Sequence, residues 1–316
     1  MQRPAAILLM GPTGAGKTEL AVRLAERWPL EIVSVDSAMV YRGMDIGTAK
    51  PPAALRARVP HHLIDLLDPS ESYSAARFVS DATRAMREIA GRGRVPLLTG
   101  GTMLYFRALQ AGLARLPAAD PGLRRRLEDR AAIEGWPALH GELRRRDPQA
   151  ATRIAPGDRQ RIQRALEVLE LTGQPITVRQ RENLRGAHGA ADLRLVLAPE
   201  RRDLLAARLE ARFRHMMELG LLAEVQALHE RGDLHAGLPA MRLIGYRQLW
   251  AYLDGRVALD EAVQMAIVAT RQYARRQLTW LRAEPEARWF EALDPATPEA
   301  VMGPIRAWLA AKTAES

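Results

Sequence analysis

Along the first hundred residues, short unbroken apolar runs alternate with stretches whose apolar residues recur at helical spacing. The run "AAILLM" (5–10) leads into glycines, and "TELAVRLAERW" (18–28) follows with an amphipathic period. "EIVSV" (31–35) reads as a second strand and "HHLIDLL" (61–67) as a third. "SAARFVSDATRAMREIAGRG" (74–93) reads as a helix stopped by glycines, and "VPLLTGG" (95–101) as another strand ending in glycine. This alternation predicts a parallel sheet with helices on both faces. The pattern changes near "LPAADPGLRRRLEDR" (116–130): from 121 to about 190 no strand-like run appears, and Gly and Pro punctuate several helices. "LRLVLAP" (193–199) predicts a strand returning to the sheet, and the remainder reads as mostly helical. The expected organisation is 1–120 as the first part of a core, 121–190 as a helical insertion, and 191–316 as the second part of the core with C-terminal helices.

Composition narrows the class. A chain of 316 residues suits two domains, or one core carrying an insertion. With no cysteine, disulfides and thiolate metal sites are excluded. The apolar run before the glycines spans about six residues, too short for a secretion signal or a membrane span. The expectation is a cytoplasmic protein without membrane association. The net charge of +9 favours a polyanionic partner. Only Lys17, Lys50 and Lys312 are lysines, however, so arginine-rich codon usage accounts for the charge equally well. The 121–190 segment holds 14 Arg against 9 acidic residues, an excess of five positive charges.

"GPTGAGKT" (Gly11, Pro12, Thr13, Gly14, Ala15, Gly16, Lys17, Thr18) matches G-x-x-x-x-G-K-[ST] between a strand and a helix. Successive backbone N–H groups and a helix N-terminus make a concave anion site there. Lys17 adds a mobile charge, and the Thr18 hydroxyl suits Mg²⁺ shared with phosphate oxygens. The fold class is therefore α/β, a P-loop NTPase-like parallel-sheet core with a mostly α-helical insertion domain. The loop announces a phosphorylated ligand, and ATP or another nucleotide is one candidate; it does not say that a γ-phosphate is transferred. An ordinary NTPase also needs a second magnesium carboxylate, for which "HLIDLLDP" with Asp65 and Asp68 is the main competitor to Asp36. A small-molecule kinase and a non-catalytic RNA-binding P-loop protein both share the loop.

Several stretches occur in order over nearly the whole chain: "GPTGAGKT", "VDSAMVYRGMDIGTAKP", "PHHLIDLLDPSESYSAARF", "PLLTGGTMLYFRAL", "DRQRIQRALEVLELTGQP", "MRLIGYRQLWAYL" and "ATRQYARRQLTWLR". In these the sequence resembles the bacterial tRNA dimethylallyltransferases, also called tRNA isopentenyltransferases. The resemblance implies transfer of a dimethylallyl group from dimethylallyl diphosphate to N6 of adenosine 37 of tRNA, by a monomer that spends no ATP. Many members carry serine where this chain has Ala15, so one phosphate contact is missing. The resemblance implies catalytic roles for Asp36, Thr102 and Arg208, with Arg202 a further diphosphate contact. Asp36 has two readings, a water-mediated magnesium ligand or an acceptor for the N6 proton, and the resemblance favours the second.

For tRNA, the resemblance implies contacts from Asp36, Ser37, Ala38, Met39 and Thr102, and from Arg124. "DRQRIQRALEV" contributes Gln160, Arg161, Ile162, Gln163 and Arg164, where Arg and Gln suit base edges and phosphates and a solvated helix face is the plainer reading. "RLIGYRQLW" contributes Arg242, Gly245, Tyr246 and Arg247, with Tyr246 open between stacking and packing. "TRQYARRQLTWLR" contributes Arg271, Arg275, Arg276, Gln277, Trp280 and Arg282, an arginine–aromatic mixture that suits single-stranded loops. Thr102 is also a natural helix N-cap. The histidines lack metal-ligand spacing, and Met216 and Met217 read as core filler.

Overall fold

A computed structural model describes residues 3–112, 116–183, 191–284 and 286–314. It divides into two compact units, residues 1–107 with 189–316, and residues 108–188. The second of these units begins at residue 108, where the sequence expectation begins the insertion at 121.

In the first unit the chain runs β1 (Ile7–Met10), α1 (Lys17–Arg27), β2 (Leu30–Val35), α2 (Ala53–Arg58), β3 (His61–His62), α3 (Ala75–Gly91), β4 (Val95–Gly100) and α4 (Met103–Ala111), the last reaching into the second unit. After the helical unit come β5 (Leu193–Ala198), α10 (Arg202–Glu218), α11 (Leu221–His229), a 3₁₀ turn (Ala240–Arg242), α12 (Tyr246–Leu253), α13 (Leu259–Leu281), β6 (Arg288–Glu291) and α14 (Thr297–Ala314). Among the described residues the strands form one six-stranded sheet in the order β3-β2-β4-β1-β5-β6. Every pairing is parallel. The strands β1 and β2 are buried along their whole length, as a sheet covered on both faces requires.

Two strands differ from the sequence expectation. The third strand covers only His61 and His62, because Leu63 and Asp65 take positive φ and the chain turns away. β6 lies in the stretch expected to be helical. Its Arg288 and Trp289 are exposed, so the apolar run that announces a strand is missing at this sheet edge.

One core packs Leu9, Leu24, Ile32, Leu97, Leu195 and Ile305 between sheet and helices. A second gathers Tyr41, Met44, Phe213, Val225, Tyr246 and Ile267, joining α10–α13 to the loop after β2.

The helical unit contains α5 (Pro121–Glu134), α6 (Trp136–Arg146), α7 (Pro148–Arg153), α8 (Arg159–Thr172) and α9 (Ile176–Asn183). Asp120, Asp147 and Asp158 cap α5, α7 and α8 by accepting from Leu123, Ala150 and Arg161 N–H groups. Its core is Leu127, Leu139, Leu143, Ile162 and Leu166.

Candidate functional site

The phosphate loop lies between β1 and α1. Gly16 takes φ 83°, a left-handed conformation that lets α1 begin immediately at Lys17. Gly11, Pro12 and Ala15 are buried behind the loop, whereas Thr13, Gly14, Gly16, Lys17 and Thr18 line a cavity of about 860 Å³. Ala15 is packed away from solvent, 1% exposed, so the missing serine hydroxyl leaves the backbone cradle intact.

Lys17 Nζ donates to Pro12 O at 2.7 Å. Burial pushes its pKa down to about 7; the Asp36 charge opposes the shift and Arg212 adds to it. Asp36 follows the last residue of β2 at the carboxyl edge of the parallel sheet, where such folds place ligands. Its carboxylate accepts from Ala38 N–H at 2.8 Å. Asp36, Ser37, Ala38 and Met39 all line the cavity. Thr102 Oγ1 accepts from Ser37 N–H at 3.2 Å, and its carbonyl accepts from Tyr105 N–H at 2.9 Å at the start of α4. Thr102 thus ties the Asp36 turn to the beginning of that helix.

Of the two arginines expected on α10, Arg208 lines the cavity and Arg202 does not. Six residues turn a helix by ~600°, which leaves the two side chains about 120° apart. Arg212, four residues beyond Arg208 and on its face, lines the cavity instead. Its Nη1 lies 3.5 Å from Thr13 Oγ1. Burial lowers its pKa, with Asp36 opposing and Arg208 reinforcing the shift. The one sequence signal for Arg212 is its i,i+4 spacing from Arg208.

Gln277, expected to contact tRNA, is 5% exposed and borders the cavity. Its Oε1 accepts from Thr13 N–H at 2.9 Å and its Nε2 donates to Gly101 O at 2.8 Å, so α13 clamps the phosphate loop to the end of β4. Tyr273, one turn earlier, lines the cavity, and burial with the nearby Asp36 charge raises its pKa to about 12.

Arg242, Arg247 and Arg276 line the cavity as exposed cations. Tyr246 borders the cavity while fully buried, and Gly245 is buried at the start of α12. Arg271 pairs with Glu210 at 2.5 Å. The Arg107 guanidinium lies over the Trp280 ring, 4.3 Å from its centroid. Arg275, Trp280 and Arg282 are not among the residues lining the cavity. In the helical unit, Gln160 and Arg161 are exposed, while Ile162 is fully buried and belongs to that unit's core. Arg124 and Arg164 both bind the buried Glu167 carboxylate, at 2.8 and 2.5 Å, and Gln163 donates to Glu128 and to Arg124 O.

Residues 39–284 match the family model of the IPP transferases. The chain is 58% identical over 286 residues to the tRNA dimethylallyltransferase of Bordetella petrii, covering 89% of this chain and 90% of that protein. It is 54% identical over 306 residues to the enzyme of the same name from Methylococcus capsulatus, covering 97% and 98%. Among solved structures it is similar to the tRNA isopentenylpyrophosphate transferase of Bacillus halodurans (TM-score 0.70, 38% identity, 98% of this chain and 97% of that one). It is also similar to a eukaryotic dimethylallyltransferase studied acting on tRNA (TM-score 0.76, 27% identity, 92% and 74%).

Proposed function

The chain belongs to the IPP transferase family, and on that premise we propose that it is a prenyltransferase. It moves the dimethylallyl group of dimethylallyl diphosphate onto N6 of the adenosine at tRNA position 37, beside the anticodon. One observation carries the reading. A single cavity brings Lys17, Arg208 and Arg212 together with the Asp36 carboxylate and with apolar walls that include Met39, Ile64 and Phe213.

In the transfer, the bond between the allylic carbon and the diphosphate oxygen breaks as the N6 lone pair forms the C–N bond. The electron pair leaves with diphosphate. Negative charge grows where the P-loop amides and the three cations converge, which is where stabilisation lowers the barrier. Positive charge grows on N6, and Asp36, oriented by the Ala38 N–H, takes the N6 proton. Thr102 holds the turn that carries Asp36. The adenine leaves its stack to enter the cavity, as chemistry on a base requires. The exposed Arg242 and Arg247 of the first unit suit the phosphates of tRNA, and in the helical unit, taken by itself, the exposed Gln160 and Arg161 suit phosphates and base edges of RNA.

Thr18 is the residue suited to hold Mg²⁺ against the diphosphate. Its side chain borders the cavity next to Lys17, and a hard cation there would take its other ligands from phosphate oxygens and water. When bound, that ion supplies charge neutralisation to the leaving diphosphate. Among the described residues no helix is long and apolar enough to cross a membrane.

The test is incubation with unmodified tRNA and either labelled dimethylallyl diphosphate or γ-labelled ATP. The expected outcome is label in an adenosine beside the anticodon from the prenyl donor alone. Phosphate transfer from ATP, or no prenyl transfer, would overturn the reading.

A further inference from the structure

The wall of the cavity formed by Gly47, Thr48 and Ala49 is held from behind by a carboxylate that takes no part in the transfer step. Glu224, on α11, accepts through Oε2 from Asp45 N–H at 2.8 Å and Ile46 N–H at 2.7 Å. Through Oε1 it accepts from Gly47 N–H at 3.1 Å and from the Tyr246 hydroxyl at 2.6 Å. Three consecutive amides converging on one anion form a backbone nest filled by the chain's own side chain. The Tyr246 ring lies so close to Gly47 that a Cβ there would stand 2.6 Å from it. Burial, with the Glu224 charge behind it, raises the Tyr246 pKa far above its ordinary value and keeps the phenol a donor. On the other flank, the buried Lys50 ammonium donates to Tyr41 O, Asp45 and Asp65.

This bonding occupies most of the N–H donors of the turn that forms the wall. The N–H groups of Asp45, Ile46 and Gly47 go to Glu224, and those of Ala49 and Lys50 go to Ile46 O and Asp45 O. The Thr48 hydroxyl donates to Met44 O at 2.6 Å. Ala49, Pro51 and Ile64 line the same space beside His61, and their apolar surface suits an alkyl chain. We propose that Glu224 and Tyr246 form a latch that positions this wall against the hydrocarbon chain of the donor and restricts the site to a short prenyl group. Both are positioning residues, and the inference rests on the prenyl-transfer reading for the identity of the donor.

The test is calorimetric binding to the full chain, with tRNA omitted, of three probes: inorganic pyrophosphate, dimethylallyl diphosphate and geranyl diphosphate. Pyrophosphate reports the phosphate loop alone, and the other two add five and ten carbons. Glu224→Gln has one acceptor oxygen where two are used. It is expected to weaken dimethylallyl diphosphate binding about tenfold, equivalent to exposing one or two methyl groups. Pyrophosphate binding should stay unchanged, and the preference for the shorter chain should narrow. Tyr246→Phe should act in the same direction and less strongly. Gly47→Ala, which collides with the Tyr246 ring, should reproduce the Glu224→Gln pattern, and the pair carries the test if Glu224→Gln fails to fold. A parallel loss for pyrophosphate, or wild-type chain preference in the folded variants, overturns the latch. Because no transfer is read, a failure of the prenyl-transfer reading shows separately, in the tRNA labelling assay.

Discussion

Diphosphate binding should take up a proton at Lys17. Burial places the pKa of this ammonium at about 7. The free protein then carries a charged Lys17 in about half of the molecules at pH 7, about one in ten at pH 8 and about one in a hundred at pH 9. A diphosphate replaces the lost hydration with opposite charge and restores the ammonium. Affinity for inorganic pyrophosphate should therefore fall about tenfold per pH unit above 7, with uptake rising from about half a proton at pH 7 to nearly one at pH 8.5. Calorimetric titration in two buffers of different ionisation enthalpy measures the uptake directly. Lys17→Ala should bind weakly, with no uptake from this site. A wild-type protein that takes up no proton across this range, or a Lys17→Ala variant that keeps the uptake, would refute the reasoning. The same displacement sets a sign for stability without ligand. The unfolded chain, with a lysine pKa of 10.5, binds more protons than the folded one above about pH 7. The burial cost is present in full below that pH and is relieved as pH rises towards 10.5.

Asp36→Asn keeps the shape of the side chain and cannot take the N6 proton; single-turnover transfer should slow by about 10²- to 10⁴-fold with donor affinity little changed. Loss of Mg²⁺-dependent donor binding at an unchanged saturated rate would instead mark Asp36 as a metal-site residue. Arg212→Ala should weaken pyrophosphate binding by about 1.5–3 kcal/mol, the range of a charge-assisted hydrogen bond, while Arg202→Ala, outside the cavity, should change it little. Equal effects of the two substitutions in equilibrium titrations would contradict the helix-face assignment.

Much of the core was legible because its signals are local. The phosphate loop is a contiguous motif, and β1, β2, β4 and β5 are buried apolar runs that stand out against amphipathic helices. β6 was not legible, since an exposed Arg–Trp pair at a sheet edge carries no apolar pattern. The site was legible where it lies next to strand ends, as Asp36 and Thr102 do. It was less so where burial decides a polar residue's work. Gln277 and Tyr246 read as recognition residues in one dimension, and nothing in the sequence announces the internal bonds they make, to Thr13 and Gly101 for one and Glu224 for the other. Ile162 sits between polar neighbours in the sequence, yet its helix turns it into the core.

The clamp made by Gln277 bears on the order in which the protein becomes competent during synthesis. The phosphate-loop motif emerges among the first residues made, but β1 gains its second neighbour only when β5 appears. The Thr13 amide receives its side-chain partner only when α13 is complete. A nascent or truncated chain that ends before residue 277 carries the whole motif with that amide unsatisfied by Gln277. If it ends before residue 208, it also lacks both cavity-lining arginines of α10. A motif complete in sequence at residue 18 thus has its last side-chain partner some 260 residues later.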